Sequence, residues 1–512
     1  MISFIISLVA LVAGYFVYGR IVERIFSPDD RQTPAVAHPD GVDYITMPGW
    51  RIFMIQFLNI AGTGPIFGAI MGAFYGPSAF LWIVFGCIFA GAVHDFFTGM
   101  LSERHDGAGL PELVGTYLGP VARKVMLVFA VLLLLMVGVV FVYSPALILS
   151  GFGGSCLMWV AVIFVYYILA TMLPIDKIIG KIYPVFAFSL LFMAVALLVW
   201  LVINMPALPE WWSDLSQCNL NENAAWLGAD TYMAKNPLYP CLFITIACGA
   251  ISGFHATQSP LMARCMRSER QGRPIFYGAM ITEGIVALIW ASVSMYFFYY
   301  EGWRTVVPAD VAGKFISQFG AEGGKTLVNF FSAPEVVKYV CSGWLGTFGG
   351  VLAILGVVAA PITSGDTAFR SARLIIAEAL GLNQKPMRNR FAVCLPLFAV
   401  AILLLVWQMA NEGGFNKIWQ YFGWSNQTLS VFSLWTITVY LAQKRKAYAV
   451  SLLPAIFMTD ICTTYIMVSP QMLGGLVSTQ VGYIVGAALT LLIAVLFFVW
   501  KSRLSTPAED EQ

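Results

Sequence analysis

The chain has 512 residues, 59% of them hydrophobic and only 11% charged, with a net charge of +2. A soluble globular protein carries about 25% charged residues, so this composition excludes an ordinary soluble domain, and a near-neutral chain offers no basic field for nucleic acid. The nine cysteines form no CxxC pair and most sit in apolar runs, which reads as buried thiols. A disulfide between Cys218, in a predicted external loop, and Cys241 is the other reading.

An apolar window of roughly 20 residues is enough to cross a bilayer. Thirteen such windows follow one another, at 2–19, 51–74, 78–100, 122–143, 156–173, 184–205, 239–261, 275–300, 343–369, 391–410, 420–441, 450–468 and 480–500. The first has no basic residues ahead of it, and Arg20 and Arg24 come after it, so it reads as a retained span with its N-terminus outside rather than a cleaved leader. The second is interrupted at residues 56–65 by Asn59, Gly62, Thr63, Gly64 and Pro65. The third carries His94 and Asp95, and the next three are plain. After an external loop at 206–238, the seventh window is interrupted at residues 249–260, through Ser252, Gly253, Phe254, His255, Thr257 and Gln258. The eighth holds Glu283. The loop at 301–342 contains amphipathic stretches at 310–319 and 335–340, readable as a folded external cap or as a gate. The ninth window carries Thr363, Ser364 and Asp366, the eleventh opens on a polar cluster with Asn426 and Gln427, and the twelfth holds Asp460. Most of the 29 basic residues fall in loops that follow odd-numbered windows, which predicts an N-out, C-in topology.

The two interrupted windows are the most informative feature. Unwound backbone at membrane depth leaves amides and carbonyls that hydrocarbon cannot satisfy, so it must line a buried site or a wet cavity. Paired breaks in corresponding positions point to the substrate site of a secondary transporter built on an inverted repeat. Five windows run from each break, and an odd number inverts the second unit. The expected fold is therefore an all-α polytopic membrane protein of about 13 transmembrane helices with a LeuT-like five-plus-five inverted repeat. Its parts are an N-terminal helix and loop (1–50), a first repeat (51–205), the external loop (206–238), a second repeat (239–441) containing the 301–342 loop, two further helices (442–500) and a cytoplasmic tail (501–512).

Candidate roles follow from chemistry. Ionisable groups inside spans are costly and mark pathways or relays. His94, Asp95, Glu283 and Asp366 are thus candidates for coupling or gating, each with a structural alternative, such as a pair between Asp366 and Arg370 one turn on. Asp460 lies outside the proposed core and reads as a helix–helix hydrogen-bonding group. Substrate-binding candidates are Asn59, Gly62, Thr63, Gly64, Ser252, Gly253, Phe254, His255, Thr257, Gln258, Asn426 and Gln427. A substrate carboxylate would meet half-helix N-termini near Gly64 and Thr257. No intramembrane acid is obviously placed for a substrate amine. Carbonyls of Gly62 and Thr63 with the hydroxyls of Thr363 and Ser364 make a possible sodium site, since hard cations take oxygen ligands; alternatively both hydroxyls bond back to their own helix. No resident cofactor is expected, and the coupling ion is Na+ or H+.

The chain resembles the carbon starvation protein A family. The resemblance runs from residue 44 to about 430. It rests on Ala61-Gly62-Thr63-Gly64-Pro65, Leu81-Trp82-Ile83 and Gly91-Ala92-Val93-His94-Asp95. It continues through Arg104-His105-Asp106-Gly107 with Glu112-Leu113-Val114, and Ile251-Ser252-Gly253-Phe254-His255-Ala256. The last matches are Ser364-Gly365-Asp366-Thr367-Ala368-Phe369-Arg370 and Phe422-Gly423 with Asn426-Gln427. It implies a multi-pass protein of the bacterial inner membrane that imports small peptides during carbon starvation, or alternatively pyruvate or another small carboxylate. The chain departs from longer relatives in lacking their extra C-terminal length. It has Gly68-Ala69 where many have a second Gly-Pro, and Gln56-Phe57 where many have a His pair. An intramembrane protease is disfavoured, because Ala250 stands where a GxSG motif needs glycine and no Gly-x-Gly-Asp signature is present. A nutrient sensor would call for an output domain larger than the 501–512 tail.

Overall fold

In a computed structural model, the described residues are 1–504 apart from 40–43, 173–178, 214–232, 301, 320–325, 384–385, 412–413 and 475. They form helices and loops, with no strand among the described residues. The apolar windows become helices because, away from water, each backbone amide must find its partner within the segment. In chain order the main helices are α1 (Ile2–Phe16), α2 (Tyr18–Phe26), α3 (Gly49–Ile60), α4 (Thr63–Gly72), α5 (Ser78–Phe85) and α6 (Ala92–Arg104). Next come α7 (Leu110–Leu118), α8 (Pro120–Ser150), α9 (Cys156–Met172), α10 (Ile179–Asn204), α11 (Leu238–Thr245), α12 (His255–Ala263) and α13 (Gly278–Tyr299). The rest are α14 (Ala309–Gln318), α15 (Ala333–Trp344), α16 (Gly346–Ala379), α17 (Met387–Ala410), α18 (Gly414–Gln443), α19 (Ala449–Val468) and α20 (Thr479–Ser502).

Among the described residues, nine helical stretches are long and apolar enough to cross a membrane, and the bent pair α3–α4 makes a tenth. Helices also stand at the three remaining windows: α9 is shorter, α11 and α12 are separated by a nine-residue break, and α18 is more polar. Many large apolar side chains point outward, among them Leu157, Phe188, Phe348, Leu403 and Leu491. That is the surface expected where lipid is the solvent.

The helix packing has an internal correspondence. The α3–α4 unit packs on α13, and α12 packs on α6. Helix α8 packs on α16; α10 packs on α16 as α18 does on α8; α10 packs on α3 as α18 does on α11. Likewise α9 lies against α8 as α17 does against α16. Exchanging the windows at 51–205 for those at 239–441 therefore maps the α8–α16 pair onto itself and each of the other neighbour pairs onto another.

Both amphipathic stretches of the 301–342 loop are helical, as α14 and α15. Ser332 and Glu335 form a capping box at the start of α15, and Trp344 at its end stacks on Trp200 with ring centroids 4.2 Å apart. Asp460 is bonded by Tyr239 and by Thr490 Oγ1 at 3.3 Å, as a helix–helix hydrogen-bonding group would be. Cys241 is buried, and Cys218 lies outside the described residues. At one end of the bundle, the buried carboxylate of Glu269 accepts two bonds from Arg104, at 2.7 and 2.9 Å, and one from the Asp29 amide at 2.8 Å. Arg104 also reaches the Ser27 carbonyl at 3.0 Å and Tyr440 at 3.3 Å. Hydrogen bonds from Arg31 hold the exposed Asp29 carboxyl well below the usual carboxylate range.

Candidate functional site

The first break is tighter than the sequence predicts. Helix α3 runs through Gln56 and Asn59 to Ile60, only Ala61 and Gly62 are non-helical, and α4 starts at Thr63, bent by 47° from α3. The second break is shorter than the predicted 249–260 and starts earlier. Residues 246–254 are unwound, but His255, Thr257 and Gln258 already belong to α12. Gln56, Asn59, Thr257 and Gln258 are thus helical, not part of unwound backbone.

Close approach between the breaks is made possible by a face of α4 that carries glycine every fourth residue. A Cβ on Gly64 would lie 2.4 Å from Cys248 Sγ. On Gly68 it would lie 2.9 Å from the Thr245 carbonyl, and on Gly72 it would lie 2.4 Å from Ile246. Backbone-to-backbone packing of this kind needs small residues in a row.

The unwound segment meets the requirement that buried polar backbone be partnered. Trp82 Nε1 donates to the Ile246 carbonyl at 3.0 Å. Gly249 turns through a left-handed φ of +82°, which glycine adopts without strain, and its amide donates to Glu283 Oε1 at 3.1 Å. The Gly253 amide donates to the Asn426 carbonyl at 3.2 Å, and the Phe254 amide to Asn426 Oδ1 at 2.7 Å. Ser252 Oγ donates to the same Oδ1 at 3.1 Å. Gln427 Nε2 donates to the Phe243 carbonyl near the end of α11 at 2.9 Å. The sequence places Asn426 and Gln427 at the start of a helix. The structure puts them inside α18, which begins at Gly414, and spends their amides on holding the second break. A span can begin earlier than its most apolar window because bundle packing covers its polar first turns.

Four ionisable side chains, all fully buried, meet at this break. His94 Nδ1 and His255 Nδ1 each donate to a separate oxygen of Asp95, both at 2.8 Å. On its other side, His255 Nε2 lies 3.4 Å from Glu283 Oε2. The result is a continuous array, His94–Asp95–His255–Glu283, ending on the Gly249 amide and joining α6, α12, α13 and the unwound segment. Three of the four predicted coupling residues are thus brought together with His255, a predicted substrate residue. Asp366 is separate, 3.8 Å from Arg370. Two intramembrane acids, Asp95 and Glu283, reach the second break. Periodicity could have placed each acid on an inward face but could not have paired them, because Asp95 and His255 are 160 residues apart in the chain.

At the first break, Ser364 Oγ donates to the Asn59 carbonyl at 3.2 Å. Thr363 Oγ1 donates to the Ala360 carbonyl of its own helix at 2.8 Å. Of the four groups predicted for a cation there, the Ser364 hydroxyl meets a carbonyl of the first broken segment, and that carbonyl belongs to Asn59, not to Gly62 or Thr63. Gly62 is close by, its Cβ direction 3.7 Å from Ser364 Oγ. Asn59 Oδ1, Thr63 Oγ1, both amide atoms of Gln56 and Gln258 Oε1 are buried without a hydrogen-bond partner. Buried polar groups are almost always hydrogen-bonded, so a set of unpartnered ones is a candidate for meeting a polar ligand. From one side, a cavity of about 190 Å³ lined by Thr257, Leu261, Arg264, Glu112 and Ser371 reaches the first turn of α12.

The family model described as "Carbon starvation protein CstA" matches residues 1–151, 143–322 and 315–465. The chain belongs to the carbon starvation protein CstA family. It is a multi-pass membrane protein. An uncharacterized membrane protein of Haemophilus influenzae is 47% identical over 61% of this chain and 95% of its own length. The peptide transporter CstA of Escherichia coli is 28% identical over 88% of this chain and 78% of its own. That of Bacillus subtilis is 27% identical over 89% and 88%. Among solved structures, a manganese transporter of Eremococcus coleocola superposes with a TM-score of 0.53 at 11% identity, covering 91% of this chain and 99% of that one. This likeness shows that the CstA chain has a membrane-transporter fold, at an identity too low to carry a substrate.

Proposed function

We propose that this CstA family member is a cation-coupled secondary transporter that imports small peptides across the bacterial inner membrane during carbon starvation, and not an enzyme. The reading carries thirteen crossings, N-out and C-in, and a LeuT-like inverted repeat. The exchange-symmetric helix packing supports the repeat, and the two apposed breaks support a site at its centre. One observation carries the mechanism: a buried array of two acids and two histidines abuts the unwound segment. A peptide is zwitterionic. Its carboxylate would meet the amides at the N-termini of α4 and α12, and its amine would meet the carbonyls of the unwound segment on the Glu283 side. Pyruvate has no amine, so the two acids favour the peptide. Protonation and release along His94–Asp95–His255–Glu283 would couple the proton gradient to the closing of the second break. The cavity beside Arg264 would serve as the vestibule on that side.

The contact of Ser364 with the Asn59 carbonyl favours a second reading, sodium coupling at the first break. Uptake of labelled alanyl dipeptides and of labelled pyruvate into proteoliposomes, under proton and sodium gradients imposed separately, decides among these. Dipeptide uptake on the proton gradient alone is the expected result. Sodium-driven uptake lost in Ser364→Ala would replace the proton array by the sodium site. Uptake of pyruvate alone would overturn the peptide assignment.

A further inference from the structure

Two atoms in the array have no use in its hydrogen bonding. His255 Nε2 and Glu283 Oε2 are fully buried, and neither completes a hydrogen bond, although they lie 3.4 Å apart. Cys248 Sγ shares their space, and the three ligand atoms all lie within 4.8 Å of one another. Cys248 is held on the unwound segment, where its sulfur fits because Gly64 has no side chain.

We infer that Cys248, His255 and Glu283 form a binding site for a transition-series divalent cation of the Zn2+ type. The geometry is the first argument. Two ligands at Zn–N and Zn–O lengths of about 2.0–2.1 Å in a tetrahedron stand about 3.4 Å apart, and His255 and Glu283 stand at 3.4 Å. A thiolate at about 2.3 Å would stand about 3.6 Å from each, inside the 4.8 Å within which the three residues' ligand atoms lie. The donor set is the second argument. Thiolate, imidazole and carboxylate together select Zn2+ or Co2+ over Mg2+ and Ca2+. The support around the ligands is the third. Nδ1 of His255 donates to Asp95, so the nitrogen turned toward Glu283 is Nε2, which would bind a metal through its lone pair in the neutral imidazole. This carboxylate–histidine arrangement orients metal-bound imidazoles. Asp95 is itself fixed by His94, and Glu283 Oε1 by the Gly249 amide. Three protein ligands leave a fourth position for water or another donor. The metal would take the His255 lone pair and the Glu283 charge, so it would block a proton passing between them. Only this last consequence rests on the transport reading.

The test is titration of the purified full-length protein, carrying a tag without histidines, with Co2+ and then Zn2+. One equivalent of Co2+ with a thiolate-to-cobalt charge-transfer band is expected, displaced by one equivalent of Zn2+. Cys248→Ser should abolish the band, and Cys265→Ser, at another buried thiol, should leave it unchanged. Asp95→Asn, which leaves one acceptor oxygen for the two histidines and so weakens the support of His255, should weaken Zn2+ binding about 10–100-fold. Failure of the wild-type protein to bind Co2+, or binding without the thiolate band, overturns the site; the wild-type spectrum decides even if a variant fails to fold. If dipeptide uptake is absent but the band is present, the transport reading fails and the metal site stands.

Discussion

Replacing Asn426 by alanine tests whether the second break is a held structure or a loose one. The Asn426 side chain accepts from the Phe254 amide at 2.7 Å and from Ser252 Oγ at 3.1 Å, and all three residues are buried. Asn426→Ala removes the shared acceptor and strands both donors. A stranded buried donor costs about 1–3 kcal/mol. The two neighbours can share one relaxation, so the combined cost is taken as about 2–4 kcal/mol. At about 1.4 kcal/mol per factor of ten, protection of the Phe254 amide against hydrogen exchange should fall roughly 30- to 1,000-fold. The fall should be confined to peptides spanning residues 246–256, because the Asn426 carbonyl, which accepts from Gly253, survives the substitution. Substrate binding to the held geometry should weaken by a similar factor. Ser252→Ala removes one donor and leaves the amide bonded, so its exchange should stay near wild type. Unchanged protection at Phe254 in Asn426→Ala would refute the claim that this side chain holds the break.

The glycine face of α4 gives a stability prediction. Gly72→Ala drives a methyl to 2.4 Å from Ile246 and should cost about 1–3 kcal/mol in thermal unfolding; Gly72→Ala with Ile246→Ala should recover most of it, and no recovery would sink the close-approach argument. Glu283→Gln keeps an acceptor for the Gly249 amide but removes the charge, so proton-driven dipeptide uptake should fall at least about tenfold while exchange of labelled for unlabelled dipeptide persists. Equal loss of both would show that Glu283 serves the fold and not the coupling. Arg104→Ala leaves Glu269 buried with Arg31 at 3.5 Å as its remaining cation, and should lower stability by about 2 kcal/mol. Adding Glu269→Gln should restore part of that in a denaturation midpoint, and an unchanged midpoint in Arg104→Ala would make the cluster energetically idle.

Helix positions, and the existence of two breaks, were legible in the residues because both are local properties. A run of apolar side chains must become helix where there is no water, and glycine, proline and polar residues inside such a run weaken it wherever they fall. The sequence marked residues 56–65 and 249–260 on that ground alone. It misjudged how far each break extends, since tertiary partners set that length. Helix α3 continues through Asn59, whose carbonyl Ser364 caps, while residues 246–254 stay open because Trp82, Glu283 and Asn426 supply the bonds a helix would have made. His94, Asp95 and Glu283 were individually visible as costly charges in apolar runs. Their assembly with His255 into one array, and the approach of Cys248 to it, depend on helix rotation and on the glycine face of α4 meeting Thr245, Ile246 and Cys248. Pairing across 160 residues has no local signature. Hydropathy and backbone chemistry act on neighbours in the chain, whereas the site is made by packing between helices, and only the folded chain brings those side chains within hydrogen-bonding distance.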